Sequence, residues 1–96
     1  MLRLDVDFEW DTAKAESNER KHGVSFDLAI EVFLDANRVE RLDLDSTEDE
    51  ERWAATGLVD ADEIYVVYTM RGEVTRLISV RRANRHEREK YWNREI

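Results

Sequence analysis

The sequence predicts a compact α+β domain: an antiparallel β-sheet packed with two N-terminal helices and one C-terminal helix. Three observations predict it. Apolar residues alternate with polar ones at the start of the chain, and residues 64–70, IYVVYTM, form its strongest strand-like run. The strand-like runs of the second half follow one another through turns too short for a crossover helix, so neighbours should pair antiparallel. The helical stretches are segregated, two before these strands and one after them, rather than interleaved. The order is β-α-α-β-β-β-β-α in 96 residues, enough for a single domain over 1–96 and too few for two.

Each element has its own local reason. Leu2, Leu4, Val6 and Phe8 alternate with polar residues, giving a strand over 2–8. Asp11 can cap a helix running to about His22, where Gly23 supplies the left-handed position that ends it. Lys21 and His22 in its last turn suit the negative end of the helix dipole. Ser25 caps a second helix, whose apolar face holds Ala29, Ile30, Val32 and Phe33. Residues 38–44 form a weak, edge-type strand, followed by an acidic loop over 46–51. Residues 52–59 form the next strand, with Gly57 as a bulge. The turn 60–63 leads into 64–70, the strongest strand of the chain, and Arg71-Gly72 turns it into a last strand over 74–81. Asn84, with Glu87 three residues later, forms a capping box and opens a helix to about Arg94.

Composition narrows the chemistry. There is no cysteine, hence no disulfide framework and no thiolate nucleophile or metal ligand. The apolar runs are too short for a membrane span, and the acidic, alternating N-terminus is unlike a signal peptide, so the expected location is the cytoplasm. The net charge is −8, but unevenly spread. Residues 1–70 carry 7 basic and 19 acidic side chains, residues 71–96 carry 8 and 4, so a basic C-terminal quarter sits on an acidic body. That quarter is either a solvated Arg-rich segment or a face for an anionic partner. No G-x-S-x-G surrounds a serine, the three glycines are isolated, and the two histidines do not form H-E-x-x-H. No motif implies a metal or a cofactor.

What remains is basic and aromatic: Lys21, His22, Arg52, Arg76, Arg81 and Arg82, with Trp53, Tyr68, Tyr91 and Trp92. Such residues suffice for RNA cleavage without metal. A 2′-hydroxyl attacks the adjacent phosphorus, one group takes its proton, another stabilises the phosphorane oxygens and a third protonates the departing 5′-oxygen. Arginine suits the second task because its planar fork grips two oxygens and keeps its charge. Histidine or lysine can move the protons, and exposed aromatics can stack bases. Arg76 and Arg81 stand at odd spacing and point to opposite faces of an ideal strand, so both line one face only if a bulge intervenes. Arg81 is the preferred site residue, with Arg82 its substitute. Tyr91 on the last helix suits a core role, and His86 a surface one.

Assembled, these residues resemble the BrnT family of toxins from type II toxin–antitoxin pairs. The resemblance is carried by F-E-W-D at 8–11, Lys14, Asn18, K-H-G-V-S-F at 21–26, and Ala29 with V-F-L-D at 32–35. It continues through E-R-W at 51–53, Gly57, V-V-Y-T-M-R-G at 66–72, R-L-I-S-V-R-R-A at 76–83 and E-R-E-K-Y at 87–91. It implies a RelE/ParE-like fold, an endoribonuclease that arrests translation, and neutralisation by a ribbon-helix-helix antitoxin of the BrnA type in a hetero-oligomer. Lys21 or His22 would transfer protons, Arg52, Arg76 and Arg81 would hold the phosphate, and Trp53, Arg82 and Tyr91 would contact the RNA. One departure is Val80, where the family pattern has a smaller residue: it either packs in the core or narrows the site. The alternative is a non-catalytic binding module of the same fold, acting through its antitoxin or on a protein target such as gyrase.

Overall fold

A computed structural model describes residues 7–43 and 50–94 of the chain. The elements are β1 (Asp7–Glu9), α1 (Thr12–His22), α2 (Phe26–Val32), β2 (Val39–Leu42), β3 (Trp53–Val59), β4 (Asp62–Arg71), β5 (Val74–Arg82) and α3 (Arg85–Trp92). Leu2, Leu4 and Val6 of the expected first strand, and 46–49 of the acidic loop, lie outside the described residues. Among the described residues no helix is long and apolar enough to cross a membrane.

The helix ends obey local chemistry. Asp11 accepts a hydrogen bond from the Lys14 amide and opens α1, which Gly23 closes at φ 70°. Ser25 caps α2 through the Asp27 amide. Asn84 and Glu87 exchange both bonds of a capping box at the start of α3, which ends at Trp92, two residues short of the expected Arg94.

The five strands form one sheet in the order β1-β5-β4-β3-β2. β2 to β5 are antiparallel neighbours, as the short turns require. β1 departs from the expected meander: it crosses to the far edge and pairs with β5 in parallel, Asp7 to Glu9 against Val74 to Arg76. The intervening helices and the return strands supply the long connection that a parallel pair needs. The two hairpin turns are tighter than expected. Val59 pairs with Asp62 around Asp60-Ala61, with Asp60 at φ 55°, and Arg71 pairs with Val74 around Gly72-Glu73.

One sheet face packs under α2, burying Val24, Phe26, Ala29 and Val32 against Ala55, Val66, Leu77 and Val80. Val80 is wholly buried here, so its bulk is core packing and does not narrow a site. Gly57 pairs regularly with Ile64 and makes no bulge. A Cβ at this position would sit 2.8 Å from Val32 Cγ1 and 3.2 Å from the Val32 carbonyl oxygen, so the missing side chain admits α2. Gly57→Ala is expected to cost about 1–3 kcal/mol by overpacking. In urea titrations the midpoint should fall with an unchanged slope.

β1 ends after three residues and leaves the β5 edge uncovered beyond Arg76. Asn18 of α1 closes it. Its side-chain amide donates to the Val80 carbonyl at 2.8 Å and accepts from the Val80 amide at 3.2 Å, replacing two ladder bonds of a missing strand. The same amide also donates to the Val24 carbonyl, tying the α1–α2 link to the sheet.

Candidate functional site

The site grows from one irregularity. On the β4–β5 ladder Val67 pairs with Ser79 and Tyr68 with Leu77, which leaves Ile78 without a partner. This bulge resets the alternation of β5. Leu77 and Val80 both face α2, while Arg76, Ser79 and Arg81 all face the other way, the side on which Arg81 meets Glu87 of α3. The odd spacing of Arg76 and Arg81 therefore puts both on one face. Arg71 joins them, because its partner Val74 stands two residues before Arg76. Arg52, one residue before the helix-facing Trp53, falls on the same face, and Arg41 belongs there through its pairing with Ala54.

These arginines do not form a bare positive pocket, because acids accompany them. Arg76 pairs with Glu9 across the β1–β5 ladder. Arg71 forks onto Glu50 at 3.0 and 3.1 Å and lies 3.9 Å from Glu9. The hydrogen bonds and charge of Arg71, with the charges of Arg76 and Arg52, hold the Glu50 carboxyl below its usual range. Arg81 meets both oxygens of Glu87 at 2.8 Å. Burial alone would raise the Glu87 pKa. The Arg81 bonds, the Asn84 amide and the charges of Arg81 and Arg41 outweigh it, and the carboxylate stays ionised below the ordinary value.

Lys21 and His22 occupy the neighbouring groove, of about 250 Å³, between α1 and β5. Helical spacing puts Lys14, Ser17 and Lys21 on one face of α1, and Ile78 and Ser79 form the opposite wall. Among the described residues neither lysine forms an ion pair, in contrast to Arg71, Arg76 and Arg81 of the sheet. Ser79 belongs to both regions: it is the middle residue of the Arg76–Ser79–Arg81 row and part of the α1 groove. The helix terminus that explains Lys21 and His22 locally thus also aims them at the strand edge.

Three expected contacts fall elsewhere. Trp53 faces the helix side, where with Phe33 and Tyr68 it lines a cavity of about 450 Å³. Arg82 follows Arg81 and points to the opposite face, exposed and 3.9 Å from Asp62. Tyr91 is buried, and its hydroxyl donates to Asp35 at 2.6 Å. It is part of the core, as a helix-interior tyrosine with a polar anchor should be. His86 is exposed on α3. Among the described residues no group of three or more His, Asp or Glu side chains is arranged to hold a metal ion.

Sequence reasoning missed Ser79, Arg41 and the second role of Glu87. Ser79 was visible only as a serine without a hydrolase motif. Arg41 stands on the weakest strand, and Glu87 had a sufficient local role as a helix cap. The bulge was the missing signal for Ser79, since it alone turns that hydroxyl to the arginine face.

A comparison with protein families adds one finding. The family model described as "Ribonuclease toxin, BrnT, of type II toxin-antitoxin system" matches residues 10–87, which include Lys21, His22, Arg52, Trp53, Arg76, Arg81 and Arg82 but not Tyr91 or Trp92. No curated protein matches the chain closely enough to add to it.

Proposed function

The chain belongs to the BrnT family of ribonuclease toxins of type II toxin–antitoxin systems, and from that premise we propose that it cuts single-stranded RNA without metal, along the line where the α1 groove meets the arginine face of β5. The supporting observation is the sharing of Ser79 between the two. A strand laid across it has the proton-transfer groups Lys21 and His22 on one side and the guanidinium groups of Arg76 and Arg81 on the other. Arg52 adds its charge to the same sheet face.

In this reading the RNA 2′-hydroxyl attacks its own 3′-phosphorus and gives its proton to Lys21 or His22. Arg52, Arg76 and Arg81 stabilise the phosphorane charge, and the 5′-oxygen leaves with a proton, producing a 2′,3′-cyclic phosphate and a 5′-hydroxyl. The acids beside the arginines limit non-specific attraction of RNA to a chain of net charge −8. The phosphate must therefore compete with Glu9 for Arg76.

The test is direct. Purified protein in excess EDTA should cleave a single-stranded RNA and leave cyclic-phosphate ends. Cleavage that requires added divalent metal, or that leaves 3′-hydroxyl ends, would overturn the mechanism. In cells the expected consequence is arrest of translation. A type II toxin has an antitoxin partner, which we take to be a ribbon-helix-helix protein of the BrnA type, joined to the toxin in a hetero-oligomer. Co-expression with such a protein should yield a complex in which RNA cleavage is lost.

A further inference from the structure

Arg81 is held from three directions. Nη1 and Nη2 each meet one oxygen of Glu87 at 2.8 Å, Nη1 also donates to the Arg82 carbonyl at 3.1 Å, and the guanidinium lies over the Tyr65 ring, 4.3 Å from its centroid. A guanidinium has five N–H groups. The end-on pair with Glu87 takes one hydrogen on each Nη, and the Arg82 carbonyl takes the second on Nη1. The two that remain, on Nε and Nη2, lie parallel along one edge of the plane. That edge is the side-on fork that matches two oxygens of a phosphate. Neither hydrogen has a partner among the described residues, and the side chain is 33% exposed.

Tyr65 links this fork to a second arginine. Its hydroxyl accepts from Nη2 of Arg41 at 3.1 Å. Arg41 stands two strands away on β2 and reaches over β3, where its ladder partner is the small Ala54. Burial raises the Tyr65 pKa, so the phenol stays neutral and keeps a proton to donate. Arg41 is exposed and forms no ion pair with the described residues.

We propose that Arg41 and Arg81, bridged by Tyr65, form a receptor for a phosphodiester of the bound RNA strand, with Glu87 as the residue that positions Arg81. The inference rests on the ribonuclease reading above and extends it to two residues, Arg41 and Tyr65, outside the row on β5. Glu87 fixes the guanidinium plane and leaves the fork open. It is a positioning residue, since its carboxylate touches Arg81 and not the strand.

The test uses the full chain and two probes: a cleavable single-stranded RNA, and the same sequence with 2′-O-methyl groups, which binds but cannot react. Arg41→Ala should weaken binding of the methylated strand about tenfold and flatten the log–log salt dependence by about 0.7, the value for one phosphate contact on a single strand. Glu87→Gln keeps an acceptor for the Asn84 amide, so α3 remains capped. It should lower kcat about tenfold with KM changed less than about threefold, the pattern of an interaction made in the transition state. In an Arg81→Lys background the same Glu87→Gln change should have no further effect, because its action passes through Arg81. A purely structural Glu87 would give equal losses in both backgrounds and overturn the positioning role. An Arg41→Ala protein that binds with wild-type affinity and salt slope would overturn the receptor. Wild-type protein that cleaves RNA while these variants match it defeats the inference alone. Wild-type protein that neither cleaves the RNA nor binds the methylated strand defeats the reading beneath it as well.

Discussion

Purified Lys21→Ala and His22→Ala proteins, assayed on single-stranded RNA, are expected to separate: the residue that moves the proton should lose about 10²–10⁴ in rate, the range for a positioned general acid or base. The other should lose less than about tenfold, as a groove wall that still holds its neighbour. Neither change should disturb the fold. Lys21 is exposed and its backbone ends α1 regardless of its side chain, and Gly23 still supplies the left-handed terminus. Melting temperatures within a few degrees of wild type would certify that the loss is chemical. Full activity in both variants would remove the α1 groove from the mechanism and leave the arginine face to be tested by itself.

The second large effect concerns stability. Asp35 follows α2, and its carboxylate accepts the Asn37 amide and the Leu58 amide, each at 2.8 Å, and the Tyr91 hydroxyl at 2.6 Å. Three elements are joined there: the end of α2, β3 and α3. Asp35→Ala strands the buried Tyr91 hydroxyl and the Leu58 amide together, at a cost of about 3 kcal/mol. For a domain of this length the melting temperature should fall by roughly 12–24 °C. A fall of under about 4 °C would show that α3 is anchored by other contacts.

The same bond predicts a pH response. Burial works against the Asp35 carboxylate, but the Tyr91 hydroxyl, the two amides and the charge of Arg94 bring its pKa below the ordinary value. Its contribution is present above the unfolded carboxylate pKa and is lost as pH falls through the lower folded one. Burial and the Asp35 hydrogen bond push the Tyr91 hydroxyl up to about 12. That contribution is complete below the unfolded tyrosine pKa of about 10 and is lost as pH rises through the folded value. Stability should therefore decline at both ends of the scale, and Asp35→Ala should flatten both declines, as equilibrium denaturation across pH would show.

The sequence made legible whatever is settled within a few residues. Asp11, Gly23, Ser25 and the Asn84–Glu87 box set helix ends through bonds spanning two to four positions, and each was readable from residue type and spacing. Distant partners were not. β1 pairs in parallel with a strand some 67 residues later, and three residues carry no register signal strong enough to announce it. Gly57 read as a bulge because its true reason, the approach of Val32, is a helix-to-sheet contact. The real bulge, at Ile78, occurs within Leu77-Ile78-Ser79, with no glycine to mark it. The candidate site was legible as residue types and not as an arrangement. Lys21, His22, Arg52, Arg76 and Arg81 were singled out, whereas Trp53, Arg82 and Tyr91 proved to face another way. For Trp53 and Arg82 the deciding fact was which side of the sheet the backbone presented, and for Tyr91 it was burial against Asp35.

A strand counts in twos, and β5 contains one residue that breaks the count. Removing Ile78 would take away no charge and no reactive group, yet it would swing either Arg76 or the Ser79–Arg81 pair into the oily interior and bring leucine or valine out in exchange. Homologous toxins that gain or lose a residue at this point must therefore restore odd-even parity elsewhere in the strand. Length variation there is constrained by arithmetic before it is constrained by chemistry.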